Sequence, residues 1–128
     1  MKGIAVAVLI IGQEGIPLVR DPEKPPPIFW KLPGGKGEHE ESPECAASRE
    51  LEEETGVVIP PQDLRPVFEE DRGSHTFFLY QGEILGPLGL KRAGDEGEKI
   101  GIFHPAEMME MPGFFEPHRR MLHKLGIF

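Results

Sequence analysis

Glu50, Glu53 and Glu54 stand in a stretch whose two ends both carry helix signals. Ser42 supplies a hydroxyl suited to capping, Pro43 fits a first turn that needs no amide donor, and Gly56 can take the left-handed conformation that closes a helix. At roughly 100° per residue, positions i, i+3 and i+4 share a face, so the three acids converge within about a single turn. Like charges that close repel one another, and an ordinary solvated acidic face is diluted with lysine. Here residues 38–54 hold eight acids against one base, Arg49, and so carry seven of the chain's eight net negative charges. Acidity this local points to a bound cation.

Oxygen ligands on a short arc suit a hard divalent ion, Mg²⁺ or Mn²⁺, which keeps several waters and shares its remaining positions with substrate phosphates. One cysteine and scattered histidines make no soft-ligand set for zinc. Arg49 lies four residues before Glu53, within reach to hold that carboxylate in one rotamer; its plainer role is an i,i+4 ion pair. Ala46, Ala47 and Leu51 flank the acids, and their small or apolar side chains let the helix press closely on whatever covers it.

Gly35, five residues, Glu41, seven residues, Arg49-Glu50-Leu51, one residue, Glu53-Glu54, one residue and Gly56-Val57 resemble the complete signature of the Nudix hydrolases. Every fixed position is filled, far more specific than a lone glycine motif. Trp30-Lys31-Leu32-Pro33-Gly34 is similar to the approach to that signature in many members. The resemblance implies divalent-metal-dependent hydrolysis of a pyrophosphate linkage in a nucleoside diphosphate derivative, by water attack on phosphorus. It makes Glu53, Glu54 and the Gly35 carbonyl metal ligands, gives Glu50 the role of ligand or general base, has Arg49 orient the cluster, and has Glu41 support the loop–helix unit or act through water. In several members a further metal-binding glutamate comes from a later loop. Glu96 and Glu98 both resemble it, Glu96 being slightly favoured, against the plain reading of a solvated turn.

The rest of the chain must position this cluster. Its 128 residues suit one domain, 1–128, with an ordinary globular composition of 38% hydrophobic and 28% charged residues. A pI near 5.1 is wrong for coating long nucleic acid, so the expected partner is a small nucleotide. Cys45 alone forms no internal disulfide, which fits a reducing, cytoplasmic setting. The apolar run Gly3 to Ile11 is β-branched and preceded by one base, which argues against a secretory leader, and no stretch is long enough to span a bilayer.

Ile4 to Ile11 predicts a strand buried on both faces, turned by residues 12–15 into a hairpin with Ile16 to Arg20. Residues 21–27, rich in proline, predict a stiff connector. Phe29 to Leu32 is expected as a short strand feeding the glycine loop 33–37, where close backbone approach to phosphate or metal is open. Trp30 reads as packing against the hairpin ahead of stacking on a base. Val57 to Ile59 and Leu64 to Phe68 predict strand pieces, and Ser74 to Ile84 a longer strand with Phe77 and Leu79 on one face and Phe78 and Tyr80 on the other. His75 is mainly a structural or exposed residue. Lys99 to Phe103 predicts a strand, Pro105 to Met111 a short helix, and Phe114 to Leu125 an amphipathic helix with Phe115, Met121, Leu122 and Leu125 inward. Met108, Met109 and Met111 read as packing residues.

The fold expected is therefore α/β, a mixed sheet sandwiched between helices. Homodimers are common in the family, and strand 4–11 offers a pairing edge. No proline stands in residues 71–74, where ADP-ribose enzymes of the family carry one, so a nucleoside triphosphate, oxidised ones included, is favoured; an ADP-sugar or dinucleotide pyrophosphatase is the alternative. A nucleotide-binding sensor that has lost its chemistry is the rival from another class, and typically lacks one of the glutamates that are all present here. An acidic interaction module that binds no metal is the third.

Overall fold

The computed structural model describes residues 2–21 and 26–128. The proline-rich connector expected at 21–27 therefore lies outside the described residues at 22–25.

The central strand is β1 (Gly3–Gly12). It pairs antiparallel with β3 (Gly34–Lys36) on one side and parallel with β5 (His75–Ile84) on the other, and β4 (Arg65–Asp71) closes the sheet in the order β3-β1-β5-β4. Alternation along β1 divides the core. Val6, Val8 and Ile10 face α1 (Pro43–Thr55), packing with Ala46, Ala47 and Leu51, whereas Ala7 and Leu9 face Leu18, Met108, Phe114 and Leu122. Parallel register with β5 sets Val6 beside Phe78 and Ala7 beside Leu79, so the two-faced pattern of that strand joins the same two layers. The second layer is built from β2 (Ile16–Arg20), β6 (Lys99–Phe103), α2 (Pro105–Glu110) and α3 (Glu116–Lys124). The chain is thus an α/β protein with helices on both sides of a mixed sheet.

Five local expectations are corrected. β1 and β2 form no hairpin: their only ladder contact is the reciprocal pair Gly12–Gly15, at 3.1 and 3.2 Å, and β2 pairs antiparallel with β6 instead. Both edges of β1 are already taken, and Leu18 and Val19, each fully buried, need cover on two sides. For the same reason β1 offers no edge for dimer pairing. The edge strands of this four-stranded sheet are three-residue β3 and β4, the latter carrying Pro66, Glu69, Glu70 and Asp71, residues that discourage edge pairing. Residues 29–32 make only isolated bridges, Trp30 to Phe114 and Lys31 to Val19. Residues 57–59 are not a strand; a short 3-10 turn, Pro61–Asp63, follows them and β4 begins at Arg65.

The expected glycine loop is instead strand β3. A Cβ at Gly34 would collide with the Val6 carbonyl oxygen and stand 2.8 Å from Ala7 Cα, so the chain passes this close to β1 only without a side chain.

Candidate active site

Helix α1 begins and ends as its sequence dictates. Ser42 Oγ accepts the Cys45 N–H at 3.3 Å, and Gly56, at φ 84°, donates to the Glu52 carbonyl at 2.8 Å. The carbonyls exposed at the helix end are met by a loop. Asp95 N donates to Glu53 O at 2.9 Å and Lys91 N to Thr55 O at 2.9 Å, while Lys91 Nζ pairs with Asp95 Oδ1 at 2.6 Å. This docking carries Asp95, Glu96 and Glu98 to the acidic end of α1.

Arg49 is the hub of the carboxylates. Its Nε and Nη2 grip Glu41 Oε2 and Oε1 at 2.8 and 2.9 Å, a bidentate fork, while Nη1 reaches Glu50 Oε1 at 3.0 Å and both Glu53 oxygens at 3.3 Å. Nη2 also donates to the Lys36 carbonyl at 3.1 Å, tying helix to β3. The contact with Arg49 holds the Glu41 carboxyl below its usual range, and its carboxylate partners, Glu41 foremost, hold Arg49 above its own.

Glu54 is 7% exposed and Glu98 5%. Burial pushes Glu54 up to about 7, against the Gly34 N–H that it accepts at 2.6 Å and the nearby Lys31, and with Glu50 and Glu98 adding repulsion. Burial likewise raises Glu50, outweighing Arg49. A Cβ at Gly35 would stand 2.7 Å from Glu50 Cδ, so this glycine lets β3 run directly over that carboxyl. Glu98 Oε1 accepts the Glu96 N–H at 3.0 Å, with Glu96 itself exposed.

Glu50, Glu53, Glu54, Asp95, Glu96 and Glu98 line one cleft of about 250 Å³ together with Asp21, Lys31, Gly34 and Gly35. Among the described residues, no three His, Cys, Asp or Glu side chains close into a metal cage; the acids stand around an open cleft, several of them drawn to Arg49. The donor set fits a hard divalent cation, being oxygen only, in excess over its lysine and partly desolvated.

A larger cavity of about 710 Å³ adjoins the cleft and shares Asp21, Lys31, Gly34 and Gly35 with it. Phe29, Leu32, Phe77 and Phe115 give it apolar walls, with Lys36, Arg72 and His118 as polar groups beside the shared Asp21 and Lys31. The Phe29 and Phe115 ring centres are 6.1 Å apart, and His118 meets Phe115 edge to face at 4.9 Å. His118 Nδ1 accepts the Leu32 N–H at 3.2 Å, which leaves the ring proton on Nε2; burial, then Lys31 and Arg72, push its pKa down to about 3. Sequence reasoning missed this cavity. Phe115 read as a core contact and His118 went unnoticed, although their i,i+3 spacing at a helix start puts both on one face. Trp30 packs against Phe103 at 5.0 Å, and His75 pairs with Ser74 outside both cavities. Exposed Cys45 lies on the outer flank of α1.

This fold, with an acidic helix under a glycine strand, defines a class. The NUDIX domain pattern matches residues 1–125, and the chain belongs to that family. It is 59% identical over 73 residues to an 8-oxo-dGTP diphosphatase of Proteus vulgaris, covering 52% of this chain and 65% of that protein. It is 36% identical over 102 residues to an ADP-ribose pyrophosphatase of Bacillus subtilis, covering 77% of this chain and 55% of that protein. A solved structure from work on the MutT proteins of Aliivibrio salmonicida and Vibrio cholerae superposes with a TM-score of 0.78 at 26% identity, covering the whole of both chains. The chain spans between about a quarter and two thirds of the length of the curated relatives that it matches.

Proposed function

We propose that this protein hydrolyses the pyrophosphate linkage of a small nucleotide derivative, in the cytoplasm and with Mg²⁺ or Mn²⁺. The observation that carries the reading is a pair of adjoining cavities that share Asp21, Lys31, Gly34 and Gly35, an aromatic-walled one with room for a nucleoside beside an acid-lined cleft. Glu53, Glu54, Glu98 and the Gly35 carbonyl would hold the ion, with exposed Glu96 reaching it through water. What the ion supplies when bound is neutralised phosphate oxygens and a more acidic water. Glu50, raised by burial, is suited to take the proton from the attacking water and otherwise serves as a further ligand. Arg49, fixed by Glu41, keeps Glu50 and Glu53 in place.

A nucleoside triphosphate is the favoured substrate, 8-oxo-dGTP first, since the relative named for it has the higher local identity. ADP-ribose is the second reading, carried by the longer match to its pyrophosphatase. Wild-type protein incubated at fixed Mg²⁺ with 8-oxo-dGTP, dGTP and ADP-ribose should release phosphate, pyrophosphate or nucleotide from at least one of them. E53Q and E54Q, which keep shape and lose charge, should lower turnover at least about 100-fold, beyond the loss usual for outer-shell partners. Turnover unchanged in both variants would refute the assignment.

A further inference from the structure

The two cavities meet at Asp21, Lys31, Gly34 and Gly35, and among the described residues Lys31 is the one cation lining both. Among the described residues it is also the single cation on the wall of the acidic cleft, which otherwise presents Asp21, Glu50, Glu53, Glu54, Asp95, Glu96 and Glu98. Its backbone is pinned to β2, donating to and accepting from Val19 at 2.9 Å. Residue 30 before it is tied to Gly113 and Phe115, at 2.7 and 2.8 Å. The Lys31 side chain is half-buried. Its ammonium lies within electrostatic reach of both Glu54, at the end of α1, and His118, on α3, and makes no ion pair with a described residue. The cations elsewhere on the cleft's flanks are committed, Arg49 to Glu41, Glu50 and Glu53, and Lys91 to Asp95.

We propose that Lys31 binds the phosphate adjoining the nucleoside, at the junction of the two cavities, and so fixes which way round the substrate lies. The inference rests on the pyrophosphohydrolase reading above and deepens it. A nucleotide has an apolar end and a polyanionic end, and the chain presents an aromatic cavity and an acidic cleft; a bound ion offsets charge in the cleft, yet nothing on that side distinguishes the first phosphate from the last. A lysine at the junction does, because only the nucleoside-proximal phosphate reaches the mouth of the aromatic cavity. Lysine suits the task as a compact point charge on a flexible stem, whereas the planar arginine fork is used where two oxygens must be held at once, as Arg49 holds Glu41.

Calorimetric titration of α,β-methylene-dGTP with Mg²⁺ into wild type, K31M, K31Q and K31R tests this, alongside KM and kcat for 8-oxo-dGTP and ADP-ribose and melting temperatures. The uncharged variants should bind the analogue at least about tenfold more weakly and raise KM by the same factor, with kcat little changed and K31R recovering most of the loss. Wild-type affinity in K31M and K31Q would overturn the assignment. So would a fall in kcat at constant KM, the mark of a mere counter-ion for Glu54. Either result with an active wild type sinks the lysine alone. A wild type that neither binds the analogue nor turns over any nucleotide sinks the pyrophosphohydrolase reading and this one with it.

Discussion

Arg49 illustrates how one residue converts mutual repulsion into a site. Three carboxylates accept hydrogen bonds from its guanidinium, and the fork that grips Glu41 fixes the plane from which Nη1 reaches Glu50 and Glu53. Lysine keeps the charge and loses the fork, so R49K should lower kcat by roughly 10- to 100-fold with the fold intact, the range for partners that orient ligands; wild-type turnover would mean that the geometry is not needed. His118 sets a second expectation. Its folded pKa of about 3 lies below its unfolded value near 6.5, so the unfolded chain binds the extra proton. The stability it contributes is complete above pH 6.5 and is lost as pH falls toward 3. H118N should flatten that part of a melting-temperature profile, and an unchanged slope would place the acid sensitivity elsewhere. The position of His118 was not legible from its neighbours in the sequence. Nothing local to residues 115–118 says that Leu32, 86 positions away, will donate to it.

At the scale of elements, α1 is held to the sheet by Ala46, Ala47 and Leu51, all fully buried. L51A should cost about 2–5 kcal/mol in denaturant unfolding, the transfer term plus a cavity that the packed sheet cannot collapse. The loop carrying Glu96 and Glu98 depends on α1 in turn, because its backbone donors satisfy the helix-end carbonyls of Glu53 and Thr55. Buried beside Glu54, Glu98 should matter more than exposed Glu96. E98Q is expected to reduce Mg²⁺-dependent turnover well beyond E96Q, and the opposite order would return the role to Glu96. The sequence showed that this loop carries acids; it could not show that the fold would bury Glu98 and leave Glu96 exposed.

For the whole molecule, the acidic cleft concentrates charge that folding alone leaves poorly compensated. Mg²⁺ that binds only the folded chain should stabilise it by about 2.7 kcal/mol at a hundredfold excess over its Kd, read as a rise in melting temperature that EDTA reverses and E54Q abolishes. No rise in wild type would argue against the cleft as a metal site. Among the described residues no helix is long and apolar enough to cross a membrane.

What the sequence determined by itself is whatever depends on local period and local chemistry. The capped helix, the shared face of Glu50, Glu53 and Glu54, and the two faces of β5 follow from 3.6- and 2-residue repeats and from proline and glycine at fixed offsets. What only the tertiary structure decided is which distant pieces meet: β2 with β6 in place of β1, Glu98 with Glu54, and Lys31 between two cavities. Those choices turn on burial competing across the whole chain, a quantity no short window of residues contains.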